Sequence, residues 1–97
     1  MPFIQIIEFR TTDIEAVRQV SEDWWQATEG KRTARREMVT RDHSDPTRYL
    51  AIVSFDSYES AMENSALPET QAAAEQYMKA TDGEPVFSNL DVIEDRS

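Results

Sequence analysis

The chain has 97 residues, with 19 acids against 10 bases for a formal charge of −9, and 39% of it is hydrophobic. That length supports one domain around one modest core, so residues 1–97 read as a single unit. The acid excess argues against nucleic acid, whose phosphates need clustered bases. The absence of cysteine excludes disulfides, thiolate metal sites and cysteine nucleophiles. No apolar run reaches membrane-spanning length, and the opening MPFIQIIEF is too short for a signal-peptide core with its basic flank. A soluble, cytoplasmic protein with no membrane partner is expected. The apolar fraction is low for a monomer, which predicts strand surface buried against a second subunit.

In chain order, Phe3–Arg10 reads as a strand. Phe3, Gln5, Ile7 and Phe9 share one face and Ile4, Ile6 and Glu8 the other, with apolar side chains on both, so the strand should be interior. Thr11, Thr12 and Asp13 supply a helix cap. Ile14, Val17, Val20 or Ser21, Trp24 and Thr28 then recur at three- and four-residue steps, and Gly30 stops the helix where a left-handed residue is wanted. Trp25 sits about 100° round from Trp24, so the two indoles cannot face the same core centre. Thr33–Arg41 is a polar second strand, expected at an edge or half covered by another subunit.

Asp42–Thr47 is a turn by composition, and Arg48–Phe55 returns antiparallel. Within it Tyr49–Phe55 is apolar on both faces and should be central. Asp56 or Ser57 caps a helix over Ser57–Asn64, with Tyr58, Ala61, Met62 and Ser65 on one face. Pro68 breaks or restarts it. Glu69–Thr81 forms a further helical segment with Thr70, Ala73 and Tyr77 inward, Asp82–Pro85 ends it, and Val86–Ile93 is the last strand.

The order β-α-β-β-α-β is the split unit of the ferredoxin-like α+β fold, a four-stranded antiparallel sheet with its helices on one face. The other face, carrying large apolar side chains, would be bare in a monomer. A homodimer with two sheets packed face to face is the expected remedy, giving a dimeric α+β barrel.

The residues offer little obvious chemistry. Two distant glycines make no nucleotide loop, and the single histidine, His43, cannot form a His–His metal pair. His43 between Asp42 and Asp45 reads as a turn residue. Lys31, Arg32, Arg35 and Arg36 form a short basic cluster, read as a solvated strand edge or ion pairs, with the mouth of an anion pocket as the sharper alternative. Glu8, in an otherwise apolar strand, is the carboxylate singled out: buried, it would have a raised pKa and act as a base, and otherwise it reaches a basic partner. Around one helix–sheet gap, Trp24, Trp25, Phe55, Tyr58, Met62 and Tyr77 are candidates to line a flat apolar cavity, with Asn64 and Asn89 giving directional hydrogen bonds. The same aromatics would equally serve to fill a small core.

The element order, the strand ending in Phe55, and the run Ser57, Glu59, Ala61, Met62 with Pro68 beyond it resemble the antibiotic biosynthesis monooxygenase-like family, most specifically over Val53–Thr70. The resemblance implies a small dimeric α+β barrel. Some members oxidise quinols, anthrones or related phenols with dioxygen and no metal or flavin cofactor, and relatives degrade haem. Members often carry a histidine at the helix position matching Asn64; the asparagine here weighs against haem ligation and a histidine proton relay. Asn64 with Trp24 or Trp25 then matches the polar and aromatic pocket residues. Two functions follow as expectations. One is a cofactor-independent monooxygenase acting on a small aromatic or quinol-like molecule; the other is a non-catalytic module binding a small ligand or a protein through the same cleft.

Overall fold

A computed structural model describes all residues, 1–97. The elements are β1 (Phe3–Arg10), α1 (Ile14–Ala27), β2 (Arg36–Arg41), β3 (Arg48–Phe55), α2 (Tyr58–Ala66), α3 (Pro68–Ala80) and β4 (Val86–Asp91). The strands form one antiparallel sheet in the order β2-β3-β1-β4, the ferredoxin-like arrangement. β1 and β3 are therefore interior, as their two-sided apolar patterns require, and β2 and β4 are edges.

One face of the sheet is covered and the other is open. Phe3, Phe9, Tyr49, Ala51, Val53 and Phe55 are buried on the covered face beside Val17, Trp24 and Ala61 from the helices. The expectation that β3 is covered on both sides is met on one side only. Leu50, Ile52 and Ser54 are half-buried, because within one chain nothing packs on them.

Local chemistry sets the helix limits. Asp13 caps α1 by accepting from the Ala16 N–H at 3.2 Å, and Thr11 Oγ1 accepts from the Asp13 N–H at 2.9 Å. Beyond α1, Gly30 has φ +80°, a left-handed conformation that costs a side chain more than it costs glycine. Ser57 and Ser60 begin α2 with a reciprocal pair, each hydroxyl accepting from the other's N–H at 3.1 Å. Leu67, held extended before Pro68, ends α2, and Pro68 opens α3 where a missing N–H costs nothing.

Two strands are shorter than the sequence pattern predicts. β2 begins at Arg36 rather than Thr33, because Thr33 is tied to α2: its N–H donates to Asn64 Oδ1 at 3.3 Å and its hydroxyl to Ser60 O at 2.5 Å. β4 ends at Asp91 rather than Ile93, since its partner β1 starts at Phe3 and only the Val92 N–H to Pro2 O bond follows. In α2 the buried side chains are Ala61 and Asn64, while Tyr58 is half exposed, so this helix is rotated from the face predicted for it.

Candidate ligand cavity

Between the covered face of the sheet and helices α1 and α3 lies a cavity of about 630 Å³, the size of a small-molecule site. Its floor comes from β1, β3 and the two edge strands, through Ile7, Ala51, Val53, Phe55, Glu37 and Phe87. Its roof comes from Trp24 on α1 and from Thr70, Ala73, Ala74 and Tyr77 on α3, with Asn64 at the α2 end. The lining is mainly apolar, so each polar group on it acts in a medium where charge is costly.

Trp24 ties the roof together. Its indole is buried, and its Nε1–H donates to Thr70 Oγ1 at 2.9 Å, linking α1 to α3. Thr28, one turn on, is fully buried and returns its hydroxyl to Trp24 O at 2.7 Å. Tyr77 packs edge-on to Phe9, with ring centroids 5.0 Å apart, and its hydroxyl is buried without a hydrogen-bond partner. Burial, and behind it the charge of Glu37, push the Tyr77 phenol far above its usual pKa, so it stays a proton donor.

Of the sequence candidates, Trp24, Phe55, Asn64 and Tyr77 line this cavity. Four others lie outside its wall. Trp25 faces away from it, 100° round the helix: Arg32 stacks 3.4 Å from its ring centroid and donates to its carbonyl at 2.6 Å. Tyr58 packs edge-on against Phe3 and stays half exposed. Met62 packs against the core cluster around Phe3 and Phe55. Asn89, on the exposed edge strand β4, accepts from the side-chain amide of Gln5, which is itself on the cavity wall.

Asn64 has a structural task as well as a place on the wall. Its carbonyl oxygen is taken by the Thr33 N–H, leaving its amide nitrogen for the cavity. Asn64→Ala is expected to cost about 1–3 kcal/mol in urea unfolding, because a partly buried N–H loses its acceptor. An unchanged unfolding midpoint would remove that bond from the account.

The carboxylate of interest is Glu37, not Glu8. Glu8 lies on the open face, where Arg48 Nη2 donates to it at 2.9 Å; that bond holds its carboxyl below the ordinary range, so it is no base of raised pKa. Arg48 also donates to Asp42 at 2.8 Å. Glu37 stands opposite Val53 in the β2–β3 ladder and so points to the helix side. Burial raises its pKa above the ordinary 4.5, with Arg32 partly opposing. The alternation Glu37–Val39–Arg41 is visible in the sequence, but only the register shows which face it joins.

The sign of this shift gives a stability prediction. As pH rises from 4.5 through the folded-state pKa, the folded chain still holds a proton that the unfolded chain has released, so stability falls. Glu37→Gln should therefore raise the melting temperature at about pH 7, with the gain disappearing below about pH 4. A gain of equal size at both pH values would contradict it.

The basic cluster is dispersed. Lys31 pairs with Glu69 at 3.5 Å, Arg35 pairs with Asp56 at 2.5 Å, Arg32 covers Trp25, and Arg36 lies on the open face. His43 is exposed in its turn, and neighbouring Asp42 and Asp45 accept from the Ser44 and Thr47 backbone N–H groups. No three histidine, aspartate or glutamate side chains converge as a metal site, and no helix is long and apolar enough to cross a membrane.

Solved structures share this architecture from end to end. A proposed antibiotic biosynthesis monooxygenase from Caulobacter crescentus aligns over 96% of this chain and 91% of its own, with a TM-score of 0.81 at 14% identity. SnoaB, a cofactor-independent oxygenase from Streptomyces nogalater, aligns over 97% of this chain and 95% of its own, with a TM-score of 0.81 at 9% identity. A proposed antibiotic biosynthesis monooxygenase from Chloroflexus aurantiacus aligns over 100% and 98%, with a TM-score of 0.76 at 16% identity. The chain thus has the fold of antibiotic biosynthesis monooxygenase-like proteins. No family model matches its sequence, and no characterised protein matches it in sequence.

Proposed function

We propose that the protein is a cofactor-independent monooxygenase of a small aromatic or quinol-like molecule, held in the cavity between the sheet and helices α1 and α3. The observation that carries this reading is the cavity itself: about 630 Å³, mainly apolar, with a few polar groups on its wall. The shared fold with SnoaB is in keeping with it. Such a substrate supplies its own electrons. The site has to hold the rings flat, accept a proton and steady the resulting anion, which then reacts with dioxygen. For a methylene flanked by aryl rings, one oxygen atom ends as the new carbonyl and the other leaves as water.

The test is oxygen uptake by the pure, folded protein with a panel of hydroquinones and anthrones. Saturable uptake above the buffer rate supports the reading. Its absence across the panel favours the second reading, a non-catalytic ligand-binding module of the same fold, which the commitment of the Asn64 carbonyl to backbone also favours.

We also propose that the working form is a cytoplasmic homodimer joined through the open sheet face. By register that face carries Ile4, Ile6, Met38, Leu50, Ile52, Val86 and Leu90, an apolar surface unusual for a free monomer. Glu8, Arg36 and Arg48 lie on the same face as its charged members. Light scattering after size exclusion should give twice the chain mass of 11.2 kDa at micromolar concentration. A mass of one chain would refute the dimer.

A further inference from the structure

Every charged side chain on the cavity wall is an acid. Glu37 and Glu84 line it, and no lysine, arginine or histidine does. The two do not act as a pair. Glu37 stands on edge strand β2 and Glu84 just before the opposite edge strand β4, three strand spacings or about 14 Å across the sheet. An anionic ligand finds no counter-charge on this wall, whereas a cationic one finds a carboxylate.

Glu37 is the carboxylate that the fold leaves unserved. It is half-buried, points to the helix side opposite Val53, and joins none of the chain's ion pairs. Arg32 tempers its charge, but that guanidinium is committed to the ring and the carbonyl of Trp25. Burial works against the ionised form, a cost that glutamine in its place would not carry. An inward charge on an edge strand also discourages pairing with a second sheet, but Arg36 and Arg41 already charge this strand.

Its position is the second observation. A polar hollow of about 500 Å³ lies outside the cavity, between α1 and β2. Glu37 and Ser21 line both spaces and so stand where the apolar interior meets the wet exterior. In the hollow, Arg18 donates to Glu15 at 2.8 Å and Gln26 donates to Glu22 at 2.8 Å. The carboxylate left over at the junction is that of Glu37.

We propose that the ligand of this cavity is a flat aromatic ring system with a short aminoalkyl arm, whose ammonium group pairs with Glu37 where the cavity opens to the hollow. The rings lie among Trp24, Val53 and Phe55, and the ammonium keeps part of its hydration from the hollow side. The pair thus avoids the full cost of a buried charge. A bound ammonium favours the ionised carboxylate and so offsets the effect of burial on Glu37. The same ring system with a hydroxyl on its arm binds by its apolar area alone, and one with a carboxylate is repelled.

The inference rests on the cavity being the ligand site, as in the reading above, but not on dioxygen chemistry. The test is fluorescence titration with three ligands on one three-ring frame: 9-(aminomethyl)anthracene, 9-(hydroxymethyl)anthracene and 9-anthracenecarboxylate. Sodium chloride at about 0.5 M screens the net charge of the chain beyond about 4 Å, so that only a contact charge discriminates. The wild-type chain should bind the amine about tenfold more tightly than the alcohol, and the carboxylate about tenfold more weakly than the alcohol. Glu37→Gln should bring the amine and the alcohol to within about twofold of each other, while Glu37→Asp should keep part of the preference.

A wild-type preference that survives in folded Glu37→Gln overturns the proposal, and so does one removed by Glu84→Gln instead. Binding of the amine that persists in folded Ala74→Trp, which fills the cavity from α3, would place it in the outer hollow and overturn it too. Equal binding of the three ligands leaves the cavity a ligand site and removes only the choice of charge. The amine preference without oxygen uptake on the hydroquinone and anthrone panel would support this inference and remove the oxygenase.

Discussion

Trp24→Ala should destabilise the chain by about 3–5 kcal/mol, the usual cost of emptying a large aromatic site. The indole is buried in the cluster of Phe3, Ala34, Val53, Phe55 and Ala61, and it is also the hydrogen-bonded tie between α1 and Thr70 of α3. Small domains are stable by about 5–15 kcal/mol in total, so this one change can bring the fold near its limit. Trp24→Phe keeps most of the packing and drops the bond to Thr70, at about 0.5–1.5 kcal/mol. Urea denaturation of the two variants separates packing from hydrogen bond. Equal losses in both would mean that the tie to α3, not the ring, carries the stability.

Ile52→Asp should split the proposed dimer while leaving each chain folded. Ile52 pairs with Ile6 and Met38 across the middle of the open face, in a row that ends at Ser88. In two stacked sheets a carboxylate there would be buried without a partner, at a cost of several kcal/mol. In a single chain that side of β3 is only half-buried, so the same carboxylate is hydrated and folding changes little. Light scattering should report one chain mass with a wild-type circular dichroism spectrum. A variant that stays dimeric would move the interface elsewhere, and one that unfolds would mean the sheet needs its partner in order to fold.

Much of the fold was legible because it rests on local chemistry. The alternation in Phe3–Arg10 and Tyr49–Phe55, the Asp13 cap, Gly30 after α1 and the Pro68 restart each act over a few residues, and each is found where those residues place it. The cavity was legible only in part. Trp24 and Tyr77 follow from helical periodicity, since their helices must face the sheet. Trp25 is excluded by the same geometry, one step round the helix, and its stacking on Arg32 is a tertiary contact that no local pattern announces. Glu37 was missed in favour of Glu8 for a related reason. Both are single acids in strands, and a strand pattern identifies two faces without saying which the helices cover. The register with Val53 turns Glu37 inward, and the register with Leu50 turns Glu8 outward to Arg48. Thr33 was read as strand because its capture by Asn64, thirty-one residues away, is non-local too.

The central claim is that the space beneath α1 and α3 takes a flat aromatic ligand. The most direct measurement is anaerobic titration with an anthrone, followed by quenching of tryptophan fluorescence, on the wild-type chain and on Ala74→Trp. Ala74 lines the cavity from the exposed side of α3, so the larger side chain fills the space at little cost to the core. The account predicts saturation at one ligand per chain for the wild type and loss of that binding in folded Ala74→Trp. Equal binding by the two proteins, or no saturable binding by the wild type, would contradict it.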